Sequence, residues 1–284
     1  ALHAPWQANR PARLSVVRAG RSDWNESVEA VRDGVRQGRV QKAVLTRDTI
    51  VRAKQRLDPA STLWRLAPEP TGSARFAFSP EGRQGPTFVG LTPERLVQLN
   101  ENLLVTEALA GTSRDEAHQN GADALLGSTK DREEHTHVVR FIMDRLGPLC
   151  VELEHGSTDI RKLRHVTHLK TPITGRLSES MHVLDVVRAL HPTPAIGGVP
   201  LAAAREMIER LEGRSRGWYT GPVGWFDGAG NGDFWVALRS GLVIGERARV
   251  FVGAGVVRDS DPDVEWEETL LKERTVLCGL GASA

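Results

Sequence analysis

TFVGLTPERLVQLNENLLVTEALAGT, residues 87–112, is the stretch whose reading decides the fold. Three short runs, 87–91, 95–99 and 103–109, are rich in Val, Leu, Phe and Thr, the composition of strands. Asn100, Glu101 and Asn102 supply a polar turn between the second and third runs, and Ala110-Gly111-Thr112 follows the last. Runs so closely spaced read most economically as an antiparallel meander.

Working outward, residues 75–79 add another strand. Upstream, Trp24, Val28, Val31 and Val35 recur at helical spacing over 22–38, with Ser22 or Asp23 to cap the start and Gly38 to close the end. Residues 42–46 and then 49–51 read as strand, and 58–67 as a short helix. Downstream, helices are predicted over 115–126 and 130–146, an extended segment over 165–177, and helices over 183–190 and 201–211 flanking the loop 191–200. Strands are predicted over 218–226, 234–244 and 249–257, with a Gly-rich turn at 228–232. Asp261-Pro262-Asp263 opens a final helix running to 280. No internal repeat or low-complexity linker divides the chain, so 1–284 is read as one α+β domain with largely antiparallel sheets.

Lys and Arg number 37 against 36 Asp and Glu, a net charge of +1, and no long basic run occurs. This argues against nucleic acid or an anionic membrane as the main partner. Cys150 and Cys278 fit neither a disulfide framework nor a zinc pattern, so a reducing cytoplasm is the expected compartment. No run approaches the length of a membrane-spanning helix, and the residues after Ala1 do not form a secretory signal.

The predicted helix at Lys130 carries Asp131, Glu134, His135 and Val138 on one face. The final helix repeats the arrangement with Glu265, Glu268, Thr269 and Lys272. Either stripe alone reads as an ordinary solvated face. Two facing helices, each offering carboxylates, would suit Mg²⁺, which takes a few oxygen ligands and keeps waters or substrate oxygens in its remaining positions. Zinc is less suited, because His135 and His137 point apart on a helix.

A series of short motifs resembles the chorismate-utilising enzymes, a family that includes isochorismate, salicylate, anthranilate and aminodeoxychorismate synthases. They are KAVLTR at 42–47, VGLTPERL at 89–96, LAGT at 109–112, KDREEH at 130–135, VTHL at 166–169 and HPTPAIGG at 191–198. RGWYTGPVG at 216–224, ALRS at 237–240, VGAGVV at 252–257 and EWEET at 265–269 complete the set, in the family's order. The resemblance implies a large layered sandwich of mostly antiparallel sheets flanked by helices, with the active site in a cleft. It places Glu134 and Glu268 as Mg²⁺ ligands and Asp131 and Glu265 as outer carboxylates. Tyr219, Arg239, Gly253, Gly255 and Lys272 fall at positions holding the substrate's carboxylates, and Gly111, Thr112, His168 and Ala195 at other substrate-site positions. Lys42 matches the family's base and Glu94 its acid. Family members carry a longer region before the Lys42 motif, so a shortened N-terminal part is expected.

Chorismate is a dianion, and a near-neutral protein must meet it with local positive charge: Mg²⁺, Arg239, Lys272 and the backbone N–H groups at Gly253 and Gly255. Attack of water at C2 with loss of the C4 hydroxyl requires Lys42 to release a proton near neutral pH and Glu94 to keep one. Lys42 suits a water-using member, which needs no obligatory glutaminase subunit, and Ala195 favours isochorismate synthase over salicylate synthase, where Thr is usual. A salicylate synthase remains the alternative within the family, and a non-catalytic chorismate-binding protein the alternative outside catalysis. Gly253-Ala254-Gly255 lacks the third glycine and the βαβ unit of a dinucleotide fingerprint.

Overall fold

The computed structural model describes residues 13–66, 72–82, 85–114, 125–163 and 166–282. Two seven-stranded sheets form the body, and every strand pair among the described residues is antiparallel. The first sheet runs β1 (Leu14–Arg18), β2 (Lys42–Ala53), β14 (Arg247–Val256), β13 (Ser240–Ile244), β4 (Thr87–Thr92) and β3 (Ala74–Phe78), with the short β10 (Gly198–Val199) also paired to β2. The second runs β11 (Pro222–Phe226), β12 (Gly232–Val236), β5 (Arg95–Asn100), β6 (Leu103–Arg114), β9 (Val166–Leu177) and β7 (Cys150–His155), with β8 (Asp159–Lys162) also paired to β9.

The meander expected over 87–112 is half right. β5 and β6 form the predicted hairpin, turning at Glu101 with φ 55°. β4 and β5 do not pair. Pro93, which has no backbone N–H to give a ladder, and Glu94 carry the chain out of the first sheet and into the second. A matching correction falls on 234–244, predicted as one strand: β12 ends at Val236, residues 237–239 cross back, and β13 begins in the first sheet at Ser240. The two crossings lie side by side. The Val236 N–H donates to the Glu94 carbonyl at 3.0 Å, the Leu91 N–H to the Arg239 carbonyl at 3.2 Å, and the Thr92 hydroxyl to the Val236 carbonyl.

Helix α1 (Arg21–Arg36) turns Trp24, Val28 and Val31 onto the β2–β14 face, beside α5 (Leu201–Glu212) and Trp266 of α6 (Pro262–Leu280). Helices α3 (Thr129–Leu146) and α4 (Val183–Leu190) cover the second sheet with Val138, Ile142, Leu146, Val186 and Leu190. Asp58 caps α2 (Pro59–Arg65) through the N–H groups of Ala60 and Ser61. The apolar face of α1 matches the helical spacing read from sequence. The strand predicted over 218–226 begins only at Pro222, because Gly217 and Thr220, both at positive φ, form a turn before it. β1, β7 and β8 escaped sequence reading because they are short and largely exposed. Of the helix predicted over 115–126, residues 115–124 lie outside the described residues.

β2 is buried along most of its length, yet carries Lys42, Arg47 and Thr49. Buried polar groups of this kind must find partners. Glu273 of α6 accepts from Arg47 at 3.1 Å and Thr49 at 2.8 Å, and its other oxygen pairs with Arg18 of β1. Replacing Glu273 by Ala strands the Arg47 guanidinium in the core, and a loss of about 3 kcal/mol in urea denaturation is expected; a loss below about 0.5 kcal/mol would show that Arg47 is satisfied without it.

Candidate active site

The paired crossings place Glu94 and Arg239 on one wall of a cavity between the sheets. Arg239 sits in the left-handed region at φ 45°, a conformation a non-glycine residue adopts at a cost of roughly 1–3 kcal/mol. Its Nη2 donates to His168 Nε2 at 3.0 Å. His168 Nδ1 lies 3.0 Å from the Gly111 carbonyl and 3.2 Å from the Thr112 hydroxyl. With Nε2 accepting, the ring is neutral and Nδ1 carries the proton. Burial, followed by the charges of Arg239 and Lys272, holds His168 well below the usual histidine range. Gly111, at φ 74°, makes the irregularity in the β6–β9 ladder that turns Thr112 toward α3, where the Thr112 N–H donates to Asp131 Oδ1 at 3.2 Å.

The facing wall is β14. Lys272 reaches from α6 to the Gly253 carbonyl at 3.1 Å and to Glu268 Oε1 at 2.6 Å. Beside Gly255, Lys42 Nζ donates to Glu134 Oε1 at 2.8 Å, and the Lys42 side chain is wholly buried. A Cβ at position 255 would stand 2.8 Å from Glu134 Oε1 and 2.9 Å from Lys42 Cε, so a larger residue there would push this ion pair aside. Tyr219 stacks on Phe251 at 5.4 Å between ring centroids, and burial raises its phenol well above the usual range.

Glu94 is buried, and its carboxyl is pushed up to about 7, by burial first and then by the neighbouring Glu107. Glu134 differs: burial raises it, but Lys42, followed by Lys130 and Lys272, outweighs burial and holds it below the ordinary carboxylate value. The two helices meet through Lys130 of α3, whose Nζ lies 2.7 Å from Glu265 Oε1 of α6. Glu265 is still pushed up to about 7, by burial and then by Glu268, and Asp131 is raised by burial. Four carboxylates, Asp131, Glu134, Glu265 and Glu268, stand against three lysines, Lys42, Lys130 and Lys272, and the donors are hard oxygens on two helices. That set fits Mg²⁺ bound through few protein ligands. Among the described residues no group of three or more His, Cys, Asp and Glu is gathered as a ready metal centre.

Of the residues singled out from sequence, Glu94, Gly111, Thr112, Glu134, His168, Ala195, Tyr219, Arg239, Gly253, Gly255, Glu268 and Lys272 line this one cavity. Lys42, Asp131 and Glu265 stand behind the wall, Lys42 under Glu134. Sequence reading passed over Lys130, one position before Asp131, and Thr220, which lines the cavity from the turn at positive φ. Thr220 lay within the quoted RGWYTGPVG motif, beside Tyr219.

The family model described as "Chorismate binding enzyme" matches residues 4–281. This chain belongs to the chorismate-binding enzyme family. It is 42% identical over 257 residues to the "Salicylate biosynthesis isochorismate synthase" of Pseudomonas aeruginosa, covering 89% of this chain and 53% of that one. It is 36% identical over 266 residues to "Isochorismate synthase MenF" of Bacillus subtilis, covering 92% and 56%. The solved structure of MenF, the menaquinone-specific isochorismate synthase from Escherichia coli, superposes with a TM-score of 0.83 at 29% identity, covering 96% of this chain and 65% of that one. The chain thus spans about half the length of the curated relatives it matches. No helix among the described residues is long and apolar enough to cross a membrane.

Because Glu94 holds its proton more tightly in the folded chain than in the unfolded one, its contribution is complete below the ordinary value of 4.5 and is lost as pH rises to about 7. The loss is on the order of 3 kcal/mol. Urea denaturation at about pH 5 and about pH 8 should show Glu94→Gln losing less stability over this interval than the parent. Equal losses would place the Glu94 carboxyl in an unperturbed environment.

Proposed function

We propose that this chain converts chorismate to isochorismate. The reading is carried by one observation: a single cavity holds a buried, proton-retaining Glu94 with Arg239 on one wall and Lys272 with the Lys42–Glu134 pair on the other. The names of its relatives support the same reaction.

The substrate's two carboxylates would lie against Arg239 and Lys272 and the backbone N–H groups of Gly253 and Gly255. Arg239 is already aimed by its bond to His168, so little freedom remains to be lost on binding. Lys42, once its amine is free of Glu134 and deprotonated, takes a proton from the water that attacks C2. Glu94 gives its proton to the C4 hydroxyl, which leaves as water while the ring double bonds shift. One water enters and one leaves, so chorismate and isochorismate are isomers. Glu134 and Glu268 would hold Mg²⁺, with Asp131 and Glu265 behind them. The ion would neutralise a substrate carboxylate and favour charge development next to it. Tyr219, Phe251 and Leu238 present an apolar surface to the ring, which limits stray water at the reacting carbons.

The purified chain incubated with chorismate and Mg²⁺, without ammonia, should yield isochorismate as the sole new species on chromatography, and EDTA should abolish it. Salicylate with pyruvate would make the chain a salicylate synthase. Mg²⁺-dependent chorismate binding without turnover would make it a binding protein.

A further inference from the structure

Glu94 has a second neighbourhood, on the side away from the cavity. There it shares a small internal void with Glu107 of β6, together with Thr106 and Thr193. Glu107 does not line the substrate cavity. It is gripped by Arg161 of β8 in a two-pronged pair: Nη1 reaches Oε1, and Nη2 reaches Oε2 at 2.8 Å. Lys170 of β9 stands 3.4 Å from Oε2. The same Arg161 Nη1 donates at 2.8 Å to the carbonyl of Pro93, the residue just before Glu94 in the sheet crossing. Arg161 and Glu107 are both nearly inaccessible to solvent, at 7% and 10% side-chain exposure.

A bidentate arginine–carboxylate pair is rigid in distance and orientation. Here it ties β6 and β8 to the Pro93 carbonyl, one of the contacts that hold the crossing from which Glu94 projects. A pair needed only to join β6 and β8 would not also take the Pro93 carbonyl and border the void that Glu94 lines. We propose that Glu107 and Arg161 are positioning residues for Glu94: Arg161 anchors its loop, and the Glu107 carboxylate faces it from behind so that it keeps a proton for donation. This deepens the reading of Glu94 as the acid and rests on it.

The charges around Glu94 are mixed. Glu107 favours its protonated form, while Lys42 of β2, Lys272 of α6 and Arg239 at the neighbouring crossing favour the ionised form. Glu107 acts with burial to retain the proton, and removing its charge shifts the balance toward the three cations. The Glu107 carboxylate thus adds to burial in keeping an acid beside a pocket lined with cations.

The test is the pH profile of isochorismate formation, read with an infrared titration of the Glu94 carboxyl, assigned by its absence in Glu94→Gln. Glu107→Gln keeps the shape and removes the charge. It should move the alkaline limb of kcat, and the infrared transition, to lower pH by roughly one unit. Arg161→Gln removes the opposing cation and should move both to higher pH. A variant that fails to fold leaves the other to be read. If the folded variants keep the parent's limb and infrared transition, the proposal is overturned. If the infrared transition moves as expected while the parent makes no isochorismate, the positioning holds and the assigned reaction fails.

Discussion

The structure depends on one constraint: two antiparallel sheets are joined by two chain crossings that hydrogen-bond to each other. At Pro93–Glu94 the chain passes from the first sheet to the second, and at 237–239 it returns. The bonds from Val236 to Glu94 and from Leu91 to Arg239 lock these passages together. Glu94 and Arg239, one on each crossing, both line the cavity between the layers. The acid candidate and the arginine therefore reach one cavity as a consequence of topology. The backbone cost of Arg239 at φ 45° is what that return passage demands, and the surrounding ladder maintains it.

The opposite wall obeys a packing limit. β14 must run close to the Lys42–Glu134 pair, and Gly255 is the residue that allows it. The pair itself joins the first sheet to α3, while Lys130 joins α3 to α6. Buried charges of this density are costly unless paired, and each lysine here is matched with a carboxylate that the proposed chemistry would redeploy. The lysines hold the acidic side chains in place; with the proposed Mg²⁺ and dianionic substrate bound, the same carboxylates and cations would have other partners to satisfy. The ion pairs would then connect stability to the proposed function at the same residues.

Much of this was legible in the sequence. The 3.6-residue spacing of Trp24, Val28 and Val31, and of Asp131, Glu134 and Val138, gave the helices and their faces, because a helix periodicity is a local property. The motifs gave the residues of the cavity. The sheet crossings were not legible, since residues 234–238 and 242–244 are apolar and only Arg239-Ser240-Gly241 interrupts them, and nothing local says that the chain changes sheets there. That outcome is decided by hydrogen bonds to residues 91–94, which are distant in sequence. The Glu107–Arg161 pair was invisible for the same reason: its partners lie on strands whose register only the folded sheet fixes, and β8 is too short and polar to announce itself. Lys42 as a buried ion-pair partner, set behind the cavity wall, likewise depends on the glycine across from it.

The account's central claim is that Lys42 and Glu94 do chemistry and the cations do binding. Chorismate affinity and single-turnover rate, measured together for Lys42→Met and Glu94→Gln, test it most directly. The account predicts affinity within about threefold of the parent and a rate lower by about 10²–10⁴-fold for each variant. A variant that turns over at nearly the parent's rate, or one that loses affinity in step with rate, would contradict it.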